Sequence, residues 1–292
     1  MEALRANKAN DEALINESFG YIESVGGIQL KMVCWIPEKM SYLVVLIHGL
    51  GEHILRYRPW AGKFNDEGIG VIGIDLRGHG ESGGQRGHGS IDEFTSDIHN
   101  LLTYAHRQYP FIPKILYGHS MGGNLVLKYT IDCKPNISGV ISTSPWLRLF
   151  SPPAGFVLKL AEFMKRFSPR IPLSNRVFAK YISHDPAEVK LYQHDPLIHP
   201  RITPKLFFSI NESGEFILQN KHKINLPLLL MHGTGDKITS CRATTEFENY
   251  TSDKTTLKLW KGAYHELHHE IEKDEVFRYI LHWIEGLSSA EQ

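Results

Sequence analysis

Short uninterrupted apolar runs recur along the chain: Leu43–Ile47, Val71–Ile74, Ile115–Tyr117, Gly139–Ile141 and Leu228–Met231. Runs of this kind, closed by glycine or polar residues, mark strands covered on both faces. Thr256–Trp260 reads as a further strand, and Tyr21–Val25 with Gln29–Ile36 flank Gly26-Gly27 as a hairpin. Between the runs, Trp60–Asp66, Ile91–Gln108 and Gly122–Asp132 space their apolar residues as helices do. Strands alternating with helices predict an α/β fold, here a mostly parallel eight-stranded sheet flanked by helices.

The alternation stops between Pro145 and Asn225, where prolines crowd and two helical stretches appear, Gly155–Phe167 and Pro186–Tyr192. This segment, 145–225, is expected to be a cap inserted after the sixth strand. Residues 1–144 and 226–292 then form the core. Ligands of such sheets bind beyond the carboxyl ends of the strands, which is where a cap would sit.

Composition narrows the classes. Lysine plus arginine number 32, as do aspartate plus glutamate, so no net charge favours broad attraction to nucleic acid. Three scattered cysteines, Cys34, Cys133 and Cys241, give neither a disulfide framework nor a C-x-x-C pair, pointing to a reducing compartment. Met1–Ser18 lacks the apolar stretch of a secretory signal, and no run reaches the ~18 apolar residues of a membrane span. The expectation is a soluble cytoplasmic protein that touches a membrane, if at all, from its surface.

The chemistry gathers at the strand ends. Gly118-His119-Ser120-Met121-Gly122 lies between a strand and a helix and fits a G-x-S-x-G nucleophile elbow. Serine needs a base, and the base needs an orienting acid. Asp236, in His232-Gly233-Thr234-Gly235-Asp236, and His265, in Gly262-Ala263-Tyr264-His265, each follow a predicted strand and supply both in the order Ser, acid, His. Backbone N–H groups of Met121 and of Leu50, in His48-Gly49-Leu50-Gly51, are the expected oxyanion donors. Asp75–Ser82 reads as scaffolding beside the site. His265-Glu266-Leu267-His268-His269 also satisfies H-E-x-x-H, a zinc signature. That chemistry needs both histidines on one helix, whereas Gly262 and the preceding strand put His265 in a loop. The serine chemistry calls for no metal and no cofactor.

His48–His53, Asp75–Ser82, Gly118–Gly123 and Gly262–Leu267, four motifs in order, resemble those of one family. It is the monoacylglycerol lipase and lysophospholipase branch of the serine aminopeptidase S33-like α/β-hydrolases. The likeness runs from about Gly20 to Ile284 and includes the cap segment Glu188–Tyr192. It implies the triad Ser120, Asp236 and His265, the oxyanion hole Leu50 and Met121, and a glycerol pocket at Arg56, His119, Glu188 and Tyr192. Arg56 and Glu188 fit a solvated surface charge and a helix-surface carboxylate equally well. Cys241, five residues past Asp236, reads as a buried helix residue.

The first cap helix alternates Phe156, Val157, Leu158, Leu160, Phe163, Met164 and Phe167 with Lys159, Lys165 and Arg166. Its apolar side suits core packing, an acyl-chain tunnel or a bilayer surface. The expected activity is hydrolysis of a single-chain lipid ester, monoacylglycerol first. Lysophospholipase, carboxylesterase or thioesterase activities share the machinery, and a non-catalytic α/β-hydrolase-fold binding protein is the reading from another class. Acyl chain length and oligomeric state are not legible.

Overall fold

The computed structural model describes residues 17–175, 177–248 and 254–289. The strands of its large sheet are β1 (Glu17–Ser24), β2 (Ile28–Trp35), β3 (Tyr42–Ile47), β4 (Ile69–Ile74), β5 (Lys114–His119) and β6 (Gly139–Thr143), with β9 (Leu228–Gly233) and β10 (Thr255–Trp260). Two-residue strands β7 (Leu173–Ser174) and β8 (Arg201–Ile202) pair separately in the cap. The helices are α1 (Arg58–Asp66), α2 (Ile91–Gln108), α3 (Met121–Cys133), α4 (Gly155–Phe167), α5 (Pro186–His194), α6 (Pro204–Asn220), α7 (Cys241–Glu248) and α8 (Lys273–Ser289).

The large sheet runs β1-β2-β4-β3-β5-β6-β9-β10. The β1–β2 and β2–β4 pairings are antiparallel and the rest are parallel. This is the α/β-hydrolase fold. Every residue of β3, β4, β5, β6 and β9 is buried, as continuous apolar runs require. Within each strand alternate residues face opposite layers. Leu43, Val45 and Ile47 pack with α2, α3, α6 and α7 residues; Val44 and Leu46 pack with Trp60 and Phe64 of α1 and with Phe277 and Ile280 of α8.

Local signals set the helix ends. Ser90 and Glu93 form a capping box at α2, and Asp185 and Thr203 cap α5 and α6, each followed by a proline at the first helical position. Lys134 ends α3 in the left-handed conformation just before Pro135.

Helix α6 departs from the sequence expectation, which placed only two helices in 145–225. Its 17 residues include Ser209, Asn211, Ser213 and Gly214, whose weak helix propensity hides the pattern. Burial offsets that weakness: Leu206, Ile210, Ile217 and Leu218 join the core cluster of the sheet. Gly214 is required there, because a Cβ would lie 2.0 Å from the Leu147 carbonyl oxygen. No described helix is long and apolar enough to cross a membrane.

Candidate functional site

The carboxyl ends of β3, β5, β9 and β10 converge under the cap. At the end of β5 the chain turns sharply into α3, and Ser120 takes φ 55° and ψ −115°. A side chain in that sparsely populated region costs about 1–3 kcal/mol, so the surroundings must hold it. They do: the Ser120 N–H donates to the Thr143 carbonyl at 2.9 Å, and its own carbonyl accepts from Asn124 and Trp146. The flanking glycines are steric necessities. A Cβ on Gly118 would sit 2.3 Å from the Gly122 carbonyl oxygen, and one on Gly122 would sit 2.2 Å from that of Ile47.

Ser120 Oγ lies 2.9 Å from His265 Nε2, and His265 Nδ1 lies 2.7 Å from Asp236 Oδ2. An ionised carboxylate only accepts, so the shared hydrogen rests on Nδ1 and leaves Nε2 to accept the serine proton. Burial disfavours the His265 cation, but the charge and hydrogen bond of Asp236 overcome this and raise its pKa above the ordinary imidazole value. Burial likewise opposes the Asp236 charge; His265 and His232 outweigh it and hold the carboxyl far below its usual range.

The loop after β3 is fixed from behind. Glu52 accepts from the Gly49 N–H at 2.5 Å and from the Tyr57 hydroxyl at 2.9 Å. Its second oxygen takes Arg56 at 2.6 Å, and the same guanidinium grips both oxygens of Glu266 at 2.8 and 2.6 Å. Burial opposes the Glu266 charge, yet Arg56 and His269 bring its pKa well below the ordinary carboxylate value. One buried ion triad therefore joins the Leu50 loop to the residue after His265.

Ser120 and His265 open into a cavity of about 720 Å³ under the cap. Val157, Leu158, Ala161 and Met164 of α4 line one part of it, and Glu52, His119, Tyr192 and Glu266 also border it. The family described as serine aminopeptidase, S33 matches residues 38–272. The chain belongs to that family.

This S33-family chain is 36% identical over 261 residues to an abhydrolase domain-containing protein of Dictyostelium discoideum, a match covering 87% of the chain but 27% of that relative. It is 31% identical to a monoacylglycerol lipase of Mycolicibacterium smegmatis, covering 89% of the chain and 94% of the relative. The crystal structure of Paleococcus ferrophilus monoacylglycerol lipase matches with a TM-score of 0.82 at 33% identity, covering 88% of this chain and 99% of that one.

The remaining candidates fall differently. His119 borders the cavity, its ring 4.8 Å from that of His265. Burial and the neighbouring His265 push its pKa well below the ordinary value, so it is neutral. Tyr192 borders the cavity with its ring 4.9 Å from the Arg56 guanidinium. Arg56 itself does not line the cavity, and its Nη1 and Nη2 groups meet Glu52, Glu266 and His269. With 7% of its side chain exposed, it is not a solvated charge. Glu188 pairs with Lys273 at 3.0 Å instead of entering the cavity. Cys241 is half-buried at the start of α7, not buried within it.

His265 lies in a loop, and its Nδ1 is committed to Asp236. A buried group of Glu266, His268 and His269 brings possible metal-ligand atoms within 4.8 Å of one another. Arg56 already occupies both Glu266 oxygens, so its positive charge stands where a cation would bind. Sequence reading missed Glu52, Glu266 and Thr239, whose N–H and hydroxyl donate to Asp236. Glu52 and Glu266 stand inside the recognised motifs, but only the fold shows that they face the same arginine.

Proposed function

We propose that this protein is a serine ester hydrolase that splits monoacylglycerol into a fatty acid and glycerol through an acyl-enzyme on Ser120. The observation that carries the reading is the hydrogen-bonded chain Ser120–His265–Asp236 opening into a cavity with an apolar α4 wall and polar residues beside the serine. Ser120 attacks the ester carbonyl while His265 takes its proton and then passes it to the departing glycerol oxygen. Asp236 keeps the imidazole in the required tautomer. The N–H of Met121, free at the start of α3, and that of Leu50 stabilise the oxyanion. Water activated by His265 then releases the fatty acid. Two relatives called monoacylglycerol lipases support the substrate class. Beside the serine, Glu52 and Glu266 border the cavity while Arg56, which pairs with both, does not, and this favours neutral glycerol over a phosphate headgroup.

The cap is best bounded at 145–203, since α6 belongs to the core packing. Helix α4 carries two apolar stripes. Val157, Leu158, Ala161 and Met164 turn to the cavity, Leu160 borders it while 59% exposed, and Phe156, Phe163 and Phe167 are 76%, 61% and 63% exposed. An outward apolar stripe beside Lys159 and Arg166 suits a membrane surface that supplies the lipid.

A substrate panel tests the function. Each methylene buried from water is worth ~0.8 kcal/mol, roughly fourfold in transition-state binding. Glycerol monoesters with acyl chains of about eight or more carbons should therefore exceed the monoacetate in kcat/KM, and lysophosphatidylcholine should lag behind them. Equal rates across chain length would refute the acyl-cavity reading.

A further inference from the structure

The hydrogen-bond chain does not end at Asp236. Its Oδ2 also lies 3.0 Å from Nε2 of His232, a fully buried residue near the end of β9. His232 Nδ1 is 2.8 Å from the Thr244 hydroxyl on α7. Since the carboxylate only accepts, a hydrogen lies on His232 Nε2, while Nδ1 meets the Thr244 hydroxyl. The imidazole is thus held from both sides. Asp236 Oδ1 is separately fixed by the N–H groups of Ile238 and Thr239 at 2.7 and 3.0 Å. The Thr239 hydroxyl has one hydrogen and two acceptors in reach, Asp236 Oδ2 at 2.9 Å and the Ser144 carbonyl at 3.1 Å. His232 Nε2 reaches Thr239 Oγ1 only at 3.4 Å, against 3.0 Å to Asp236 Oδ2, so the carboxylate oxygen that His265 meets is its nearer acceptor.

We propose that His232 is a positioning residue for the reaction, fixing Asp236 Oδ2 toward His265 and sharing the charge of that oxygen. The role rests on Ser120, His265 and Asp236 being the reacting set. A donor on Oδ2 weakens the pull of the carboxylate on the His265 proton and so tunes His265 as a base. Without it, Asp236 holds that proton harder and is freer to rotate. The other groups facing this pair are Glu266, Glu52 and His119 around His265, and Cys241 near Asp236. All stay in place in the variants below.

The test compares His232→Leu, which removes the donor, with His232→Gln, which restores an N–H near the same place. The readout is the pH profile of kcat/KM on a p-nitrophenyl ester, with folding checked by near-ultraviolet circular dichroism. His232→Leu should move the acid limb up by about 0.5 pH unit and lower kcat about tenfold with KM little changed. His232→Gln should return the limb to the wild-type position. An unmoved limb in His232→Leu, or identical behaviour of the two variants, overturns the role. Should His232→Leu not fold, His232→Phe removes the same donor with a ring of similar size, and an upward or unmoved limb decides in the same way. Fluorophosphonate labelling of the wild type separates the two levels. An unlabelled Ser120 overturns the reacting set and this role with it, whereas a labelled Ser120 with an unmoved limb overturns only the role of His232.

Discussion

Replacing Arg56 by lysine keeps the charge and removes the fork. The guanidinium makes three short bonds to carboxylates, one to Glu52 and two to Glu266, at 2.6, 2.8 and 2.6 Å. The side chains of Arg56, Glu52 and Glu266 are 7%, 3% and 4% exposed, so solvent screening gives little relief. An ammonium is a point charge that cannot span both acids in the same plane. At least one charge-assisted bond is lost, worth about 1.5–3 kcal/mol, and part of one buried carboxylate goes unmatched. Arg56→Lys should therefore lower unfolding stability by about 2–3 kcal/mol, read from urea denaturation midpoints at neutral pH. Because Arg56 braces the Leu50 loop through Glu52 and does not line the cavity, kcat/KM should fall by one common factor for a glyceryl ester and a p-nitrophenyl ester of the same acyl chain. A stability change under about 0.5 kcal/mol, or a loss confined to the glyceryl ester, would refute this reasoning.

Two further outcomes follow from the same geometry. His265 must be neutral to accept the Ser120 proton, and Asp236 raises its pKa, so kcat/KM should climb with pH through a limb centred above the ordinary imidazole value of 6.5; a limb below that value contradicts the pairing. Replacing Phe163 and Phe167 by serine should reduce sedimentation with anionic vesicles while leaving hydrolysis of a short water-soluble ester within about twofold, and unchanged vesicle binding would remove α4 as a membrane contact.

Much of the fold was legible because its signals are local. Buried strands such as Leu43–Ile47 read directly as apolar runs, and the elbow at Ser120 is written in glycines that contact sterics demand. The order of Ser120, Asp236 and His265 needed only the knowledge that each follows a strand. Helix α6 escaped because Ser209, Asn211, Ser213 and Gly214 favour turns, and only packing on the sheet layer makes that stretch helical. Arg56 and Glu188 illustrate the other limit. Both stand in motif-like surroundings, yet their directions are set by partners more than 80 residues away in sequence, Glu266 and Lys273. Which charge answers which is a property of the folded loops. The link from His232 to Asp236 spans only four residues, but its value depends on Thr244 fixing the ring from α7.

The central claim is tested most directly by glycerol release from 1-monooleoylglycerol, followed in parallel for the wild type and Ser120→Ala. The wild type should release glycerol and oleate in equal amounts, and the variant should fall by about 10⁴-fold or more. Retention of a tenth of the activity by Ser120→Ala would contradict the claim, as would a wild type that cleaves aminoacyl peptides and leaves the monoacylglycerol intact.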